Sequence, residues 1–325
     1  MKQKYLVFGN KVYHGFGNQL RSIVGWYQLS KILGRRFVLS NTLMNLAFDS
    51  PFNINNFPDL PKITAALQDK NADGGEMDFF VKSCHESNTP FIKVDIQNDN
   101  FHEIKEDVIE VGGGKPMIWE LSQNKNHNKE ISSQLNLFSS HNTERLSQKL
   151  LLEIFPSLSK KWENLPLHCS VNLKSKYSII QFRSFADAGW EGIKSLDEFI
   201  SHFPDVHSKY SKNKSVFVTS DNPGLTAYIC HSIQKLCSNL DIKPIRNPRC
   251  ECCGNEAFLH SYSSETNKIT SKYPLMPIKD WRIIGGANFI YSSGTSFVES
   301  AAQYFNIPYF FWSAGGRKGF KDMSA

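Results

Sequence analysis

Residues 5–39 decide the fold class, and they read YLVFGNKVYHGFGNQLRSIVGWYQLSKILGRRFVL. The segment opens on a four-residue apolar run, passes through a glycine-rich turn at 15–18, and continues with apolar residues at helical spacing. Gly34 ends that predicted helix, and the apolar run at 37–39 follows almost at once. A strand, a helix and a second strand with such short connections are typical of a βαβ unit, which predicts a parallel sheet.

The same alternation returns in the second half of the chain. Apolar runs predict strands at 177–182, 215–219, 288–291 and 308–312. Helical spacing and a proline near a helix start predict helices between these strands, including 196–203, one beginning at Pro223, and one bearing Phe297 and Tyr304. Repeated strand, loop and helix predict a doubly wound α/β fold.

The pattern is weaker between residues 40 and 142. Short strands are predicted at 91–94 and 116–119, and the polar run 122–133 predicts a surface loop. Beyond it, leucine and isoleucine at helical spacing predict a helix over 146–155.

The chain is long enough for two domains. It has 325 residues, of which 40% are hydrophobic, so each half can bury a core of its own. The stretch 156–176 carries two prolines and is rich in lysine, which is typical of a connection between domains. We therefore predict an N-terminal domain at 1–165 and a C-terminal domain at 166–325.

The charge balance limits the classes of partner that the protein can bind. Lys and Arg total 37 against 31 Asp and Glu, which gives a formal charge of +6. This excess suits an anionic small molecule, whereas 21% charged residues are too few for a surface that coats nucleic acid. No apolar run approaches the ~18 residues of a membrane helix, and the run at 5–8 is too short for a signal peptide. We expect no membrane span, no nucleic-acid partner and a cytoplasmic location.

The seven cysteines agree with a reducing compartment, because their number is odd and their spacing is not that of a disulfide framework. Cys250, Cys252 and Cys253 lie close together in the sequence, with His260 a little further on. A zinc site needs four well-spaced ligands, and this group does not have that spacing. We predict a loop with reduced thiols and no bound metal.

In open parallel sheets, ligands bind at the carboxyl ends of the strands, and four loops of this sequence carry unusual residues at such positions. The first is the turn 14–19, HGFGNQ. It is not the dinucleotide fingerprint, because Leu20 stands where the third glycine belongs. Its glycines let the backbone approach a ligand, and the helix start offers free N–H groups. A tight turn without a ligand explains it equally well.

The second and third loops carry charged residues. Arg183 directly follows an apolar strand, where a guanidinium can hold a phosphate through two hydrogen bonds; the alternative is a surface salt bridge. Asp187 and Glu191 lie in the same loop and could act as a base or hold Arg183 in place. Asp221 lies at a predicted helix start, where capping by itself explains it.

The fourth loop, residues 292–296, reads SSGTS. Ser296 and Glu299 have the spacing of a capping box, which predicts Ser296 as the first cap of the following helix. Capping leaves the other hydroxyl groups unexplained. Hydroxyls, a glycine and a helix N-terminus together make a cradle for a diphosphate, so we expect phosphate binding here.

In this order, the four loops resemble those of the GT-B glycosyltransferases that use GDP-fucose, the superfamily of the alpha-1,2-, alpha-1,6- and protein O-fucosyltransferases. The resemblance rests on GFGNQ at 15–19, on Arg183 after its strand, on VTSDNP at 218–223 and on the segment 280–296. One position departs from the pattern, because Gln181 stands where the family often has a histidine.

The resemblance implies a GT-B-like fold of two Rossmann-like, doubly wound domains facing a cleft. The C-terminal domain would bind the nucleotide-sugar donor, and the N-terminal domain would serve the acceptor. The implied reaction transfers fucose from GDP-fucose to a hydroxyl of a glycan or protein, with inversion and without a cofactor. Two alternatives stay open: a transferase that uses another nucleotide sugar, and a non-catalytic nucleotide- or glycan-binding module of the same fold.

The resemblance also implies roles for single residues. Arg183 would hold the β-phosphate and stabilise the leaving GDP, and with a helix end it could replace a metal ion. Asp187, Glu191 and His14 are the candidates for a base that activates the acceptor. The other residues expected at the donor nucleotide are Gly15, Phe16, Gly17, Asn18, Asp221, Asp280, Thr295, Ser296 and Phe297, with Asp280 on the guanine.

Overall fold

The computed structural model describes residues 2–9, 16–70, 89–113, 117–130, 140–160, 176–183, 189–220, 222–245, 276–312 and 318–322. The chain divides into two compact units, Met1–Leu165 and Pro166–Ala325. Each unit is built on its own sheet of predominantly parallel strands, as the sequence predicts. Among the described helices, none combines the length and the apolar character needed to cross a membrane.

The first unit contains a parallel sheet in the order β2-β1-β6-β4-β5 and a small antiparallel pair of β3 with β7. Its elements are β1 (Tyr5–Phe8), α1 (Phe16–Ile32), β2 (Arg36–Leu39), α2 (Thr42–Ala47), β3 (Phe48–Asp49), a 3-10 turn (Ile54–Asn56), β4 (Ala65–Asp69), β5 (Phe91–Val94), a second 3-10 turn (Phe101–Glu103), β6 (Val108–Val111), α3 (Met117–Ser122), α4 (Ser140–Ile154) and β7 (Ser157–Leu158).

The opening βαβ unit forms as predicted. β1 is buried at Leu6, Val7 and Phe8, and it lies between β2 and β6. After α1, Gly34 adopts a left-handed conformation with φ 62°, which costs a glycine little and turns the chain into β2. The predicted turn at 15–18 is shorter than expected, because α1 already begins at Phe16.

Arg35 has a structural role that the sequence does not reveal. The sequence places it at the negative end of α1, where its charge would face the helix dipole. In the structure it is buried, and its guanidinium donates hydrogen bonds to the carbonyl oxygens of Ile104 and Glu106, both at 2.7 Å. These bonds hold the segment that leads into β6.

The strand predicted at 116–119 is wrong, and the surface loop predicted at 122–133 is right only in part. Residues 117–119 of this predicted strand lie in α3 instead, and Ile118 and Leu121, three residues apart, are both buried. The predicted surface loop at 122–133 contains the buried Asn124, whose amide donates to the carbonyl oxygens of residues 96 and 99. A polar side chain can be buried when it is hydrogen-bonded in this way.

The second unit has a sheet in the order β10-β9-β8-β11-β12-β13, parallel except for the antiparallel pair of β12 with β13. Its elements are β8 (Tyr177–Phe182), α5 (Gly189–Tyr210), β9 (Ser215–Ser220), α6 (Pro223–Leu236), β10 (Asp241–Pro244), α7 (Met276–Gly285), β11 (Phe289–Ser292), α8 (Ser296–Phe305), β12 (Tyr309–Trp312) and β13 (Lys318–Lys321).

Helix α5 is longer than predicted and supplies much of the second core. The predicted helix covers residues 196–203, but the observed helix continues through Pro204 to Tyr210. Phe199 and Phe203 are fully buried and contact the ring of Tyr291 on β11. The burial of these aromatic rings favours continuation of the helix across the proline.

A buried hydrogen-bonded histidine lies between α5 and this sheet. His207 Nδ1 lies 2.8 Å from the Tyr291 hydroxyl, and its Nε2 lies 3.0 Å from the Asn213 carbonyl oxygen. Because a carbonyl oxygen only accepts, Nε2 carries the proton and Nδ1 accepts from Tyr291. Burial of the neutral ring lowers the pKa of His207 below its usual value.

In the first unit, Gly9 follows β1 and lies directly against Glu110 of β6. A Cβ at position 9 would overlap the Glu110 carboxylate, so a larger residue there would force that side chain to move. The Gly9 carbonyl oxygen accepts a hydrogen bond from the buried Asn41 amide at 3.2 Å, and the same amide donates to Gln19 Oε1 at 3.1 Å. A buried polar cluster thus surrounds the carboxyl end of β1.

We expect His207 to make folding stability depend on pH. Its pKa is lower in the folded than in the unfolded chain, so its contribution is complete above about pH 6.5 and decreases as the pH falls below that value. His207→Gln, whose amide can replace both hydrogen bonds, should flatten this dependence in urea unfolding between about pH 7.5 and pH 5.5. His202→Gln removes an exposed histidine of the same helix and should retain the wild-type slope. Equal slopes for wild type and His207→Gln would contradict the assignment.

We expect Gly9→Ala to destabilise the first unit by about 1–3 kcal/mol, because the added methyl group overlaps the Glu110 carboxylate. The test is a double-mutant cycle with Glu110→Ala, measured by urea unfolding. Removal of the carboxylate should relieve the overlap, so the double variant should be more stable than the sum of the two single effects predicts. Additive effects would show that the two residues do not interact.

Candidate functional site

The strand order of the second sheet reverses between β8 and β11. From β8 the chain builds outward through β9 and β10, and it then returns to place β11 on the other side of β8. Connections that leave neighbouring carboxyl ends at such a reversal diverge, and the crevice between them is where open α/β sheets bind ligands. The loops after β8 and β11, which the sequence predicts to carry the site, flank this crevice.

Arg183 lies directly beyond the end of β8. The strand is buried along its whole length, whereas Arg183 is exposed. The Arg183 backbone N–H donates to the Ser293 hydroxyl at 3.2 Å, and the Ser293 N–H donates to the Gln181 carbonyl oxygen at 3.1 Å. These bonds tie the end of β8 to the loop after β11, so the backbone that carries the guanidinium is held at the crevice.

The start of α8 lies at the same edge. Thr295 is its N-cap, since Thr295 Oγ1 accepts a hydrogen bond from the Val298 N–H at 3.4 Å. The sequence predicts Ser296 as the cap, which is wrong by one residue because Ser296 is already helical. Gly294 has φ 82°, and this left-handed conformation turns the chain directly from β11 into α8. The first N–H groups and the positive end of the helix dipole therefore lie beside β8 and β11.

Gln181 connects the two loops from within. It is 8% exposed, and its Oε1 accepts hydrogen bonds from the hydroxyl groups of Thr295 at 3.1 Å and Ser292 at 3.4 Å. The sequence marks Gln181 only as a departure from the family pattern. Its contacts with residues more than a hundred positions away give it a function that no local pattern could indicate.

This arrangement suits an anion with two phosphates. A guanidinium can bind phosphate oxygens through two hydrogen bonds, and a helix N-terminus offers backbone N–H groups and a positive potential. Here Arg183 and the start of α8 are held next to each other by Ser293 and Gln181. Ser296 and Phe297 occupy the first turn of α8 and are both half-buried, so they too lie at this edge.

Asp280 lies in the middle of α7. Its side chain is 1% exposed and makes interactions within the protein. A guanine base could reach its carboxylate only if neighbouring atoms moved.

The other predicted acidic residues are not described in side-chain detail. Asp187 and Asp221 lie outside the described residues, and Glu191 is described only as part of α5. Asn222 caps α6, because its Oδ1 accepts hydrogen bonds from the N–H groups of Gly224 and Leu225. It performs the capping role that the sequence suggests for Asp221.

The glycine turn of the first unit is described from Phe16 onward, whereas His14 and Gly15 lie outside the described residues. Phe16 is 3% exposed, and its ring stacks on Phe48 at a centroid distance of 6.0 Å, so it contributes to the core. Gly17 is buried and Asn18 is half-buried at the start of α1. The nearby Glu110, which is 6% exposed, is a buried carboxylate that the sequence analysis missed.

Among the described residues, His102, His127 and Glu130 have side-chain atoms close enough to share a metal ion. His127 Nε2 accepts a hydrogen bond from the Phe101 N–H at 3.0 Å, so the neutral ring carries its proton on Nδ1, which lies 3.1 Å from Glu130. A metal on Nδ1 would displace that proton and leave Nε2 facing a backbone donor. The chemistry of this cluster therefore favours a hydrogen-bonded group over a metal site.

The predicted thiol loop with Cys250, Cys252, Cys253 and His260 lies outside the described residues.

No protein-family model matches the chain, and no curated protein matches it in sequence. Solved structures do match. A mutant of FUT1 from Arabidopsis thaliana in complex with GDP has a TM-score of 0.55 and 12% identity, over 95% of this chain and 70% of that one. The alpha-1,6-fucosyltransferase NodZ, soaked with GDP-fucose, has a TM-score of 0.52 and 12% identity over 99% of both chains. POFUT1 in complex with GDP has a TM-score of 0.51 and 10% identity over 96% of this chain and 99% of that one. The chain therefore has the α/β fold of the GT-B fucosyltransferases.

Proposed function

We propose that this protein is a glycosyltransferase that transfers fucose from GDP-fucose to a hydroxyl of a glycan or protein. The C-terminal unit binds the donor in this proposal, and the N-terminal unit serves the acceptor. The reaction inverts the configuration at the anomeric carbon and needs neither a metal ion nor a cofactor.

The observation that carries the proposal is the meeting of Arg183 with the start of α8 at the reversal of strand order. Hydrogen bonds through Ser293 hold these two elements together at the carboxyl ends of β8 and β11. An exposed guanidinium and a helix N-terminus at one edge match the two negative phosphates of a nucleoside diphosphate. The fucosyltransferases of similar fold contain GDP or GDP-fucose, which supports this donor.

The proposed mechanism depends on the charge of the leaving group. When the bond between the sugar and the diphosphate breaks, negative charge grows on the departing GDP. Groups that are already oriented towards that charge lower the barrier without reorganising. Arg183 contributes a permanent positive charge, and the N–H groups at the start of α8 contribute hydrogen-bond donors. Together they do the work that a metal ion would otherwise do.

The acceptor hydroxyl loses its proton in the same step. Asp187 and Glu191, which follow β8 in the sequence, are our candidates for the base, with His14 of the glycine turn as a third. Asp221, Thr295, Ser296 and Phe297 complete the donor side of the proposal. In the N-terminal unit, Gly15, Gly17 and Asn18 are our candidates for substrate contact, whereas Phe16 packs in the core.

The second candidate is a sugar donor with a nucleobase other than guanine, and the burial of Asp280 favours it. This residue is our candidate for the guanine contact, yet its side chain is 1% exposed. A uridine, thymidine or cytidine diphosphate sugar would use the same phosphate site without this contact, and a CMP-linked sugar, with its single phosphate, would use only part of it.

A cytoplasmic location is part of the proposal. Cys230 and Cys237 are free thiols in the described part of the chain, and desolvation raises the pKa of Cys230 to about 11. Free thiols persist in a reducing compartment.

We expect Arg183→Ala to lower the rate of GDP release from GDP-fucose by on the order of a hundredfold, because one charged donor to the leaving group is lost. The assay measures GDP over a panel of glycan and peptide acceptors. Arg183→Lys keeps the charge but loses the paired hydrogen bonds, so its rate should lie between those of the wild type and Arg183→Ala. Lys243→Ala removes an exposed cation that pairs with Asp241 on the edge strand β10 and should retain the wild-type rate.

The same assay tests the rest of the proposal. Chelator-treated protein should retain its rate, since no step requires a metal ion. Full activity of Arg183→Ala would contradict the role of this residue at the phosphates. Donor binding without GDP release over the whole acceptor panel would favour a non-catalytic binding module.

We expect GDP to stabilise the protein more than UDP, dTDP or CMP does in thermal unfolding. A ligand present at a hundred times its dissociation constant adds about 2.7 kcal/mol to the free energy of unfolding, so a preferred nucleotide is readily distinguished. If another nucleotide gives a larger shift in unfolding temperature, the donor is the sugar conjugate of that nucleotide and not GDP-fucose. Asp280→Asn should reduce the GDP shift selectively if Asp280 contacts the guanine.

A further inference from the structure

The hydroxyl groups beside Arg183 have defined donor and acceptor roles. A hydroxyl has one proton to donate. Thr295 Oγ1 accepts from the Val298 N–H and donates its proton to Gln181 Oε1. Ser292 Oγ accepts from the Gly294 N–H at 3.0 Å and also donates to Gln181 Oε1. Both protons therefore point at one buried amide oxygen.

Ser293 differs from its two neighbours. Its hydroxyl oxygen accepts from the Arg183 N–H, but among the described residues no acceptor takes its proton. Ser292 and Thr295 direct their protons inward to Gln181, so of these three hydroxyls Ser293 is the one with a proton to offer a ligand.

Gln181 also determines where the two phosphate-binding elements lie. Its side chain holds Thr295, the cap of α8, while its backbone carbonyl oxygen holds Ser293, the partner of Arg183. One buried residue on β8 therefore fixes the start of α8 relative to the base of the guanidinium.

We propose that Gln181 is a positioning residue for the terminal phosphate of a nucleoside diphosphate, and this rests on the proposed function. Its amide oxygen takes the protons of Ser292 and Thr295 and so keeps the loop in the conformation that caps α8. The Ser293 hydroxyl, the N–H groups at the start of α8 and the Arg183 guanidinium then face the terminal phosphate. Gln181 itself acts through these groups.

The test compares dissociation constants for GDP and GMP, which differ only in the terminal phosphate. Their ratio isolates the recognition of that phosphate from the binding of the nucleoside. Gln181→Met keeps the length and approximate volume of the side chain but removes the acceptor. We expect it to reduce the preference for GDP over GMP by about tenfold while leaving GMP affinity near the wild-type value. If Gln181 had a merely structural role, the substitution would weaken the binding of GDP and GMP alike.

A second variant keeps the test valid if Gln181→Met does not fold. Gln181→Asn keeps the amide without adding a charge, but its side chain is one methylene shorter, so its oxygen no longer reaches both hydroxyl groups. It should reduce the preference for GDP in the same direction. The matched control is Ser178→Ala on the same strand, which removes a buried hydroxyl bonded to Ser211 at 2.8 Å. This control should keep the wild-type ratio.

The outcomes separate the inference from the proposed function. A wild type that prefers GDP, with a reduced ratio in the Gln181 variants alone, supports both. A wild type that prefers GDP, with the same ratio in all variants, overturns the role of Gln181 and leaves the proposed function standing. A wild type that does not distinguish GDP from GMP, or binds neither, overturns the diphosphate site and the inference with it.

Discussion

The reversal of strand order between β8 and β11 is the constraint on which the C-terminal unit depends. Parallel strands end at one edge of a sheet, and connections that leave on either side of the reversal diverge and open a crevice. At this crevice the flanking loops are tied together. Gln181 and Ser293 provide the tie through side-chain and backbone hydrogen bonds. The same bonds place an arginine and a helix start side by side, so one set of hydrogen bonds joins the two loops and positions both elements of the proposed phosphate site.

The N-terminal unit repeats this principle with different chemistry. Its strand order reverses between β1 and β6, and Gly9 lies at the end of β1. The glycine allows the buried Glu110 to pack closely, and Asn41 holds the Gly9 carbonyl oxygen from another side. The described residues at this edge are carboxylate and amide groups, whereas those of the C-terminal edge include an arginine and hydroxyl groups.

Much of the fold could be predicted because the spacing of apolar residues within one helix or strand indicates which of its faces is buried. The βαβ unit, β8 and β9 follow this rule, and they lie where the sequence predicts them. The errors arise where distant contacts outweigh local preference. Residues 117–119 lie in a helix that buries Ile118 and Leu121, and α5 continues beyond Pro204 because its aromatic side chains are buried.

By itself, the sequence determined the alternation of strands and helices, the parallel sheets, and the loops that carry Arg183 and Thr295. These features depend on the spacing of apolar residues and on turn chemistry, which neighbouring residues largely control. Only the tertiary structure decided that Thr295 caps α8, that Asp280 is buried, and that Gln181 joins the two loops. The Gln181–Thr295 hydrogen bond spans 114 positions, and such a contact exists only once the strand order has brought the two ends together.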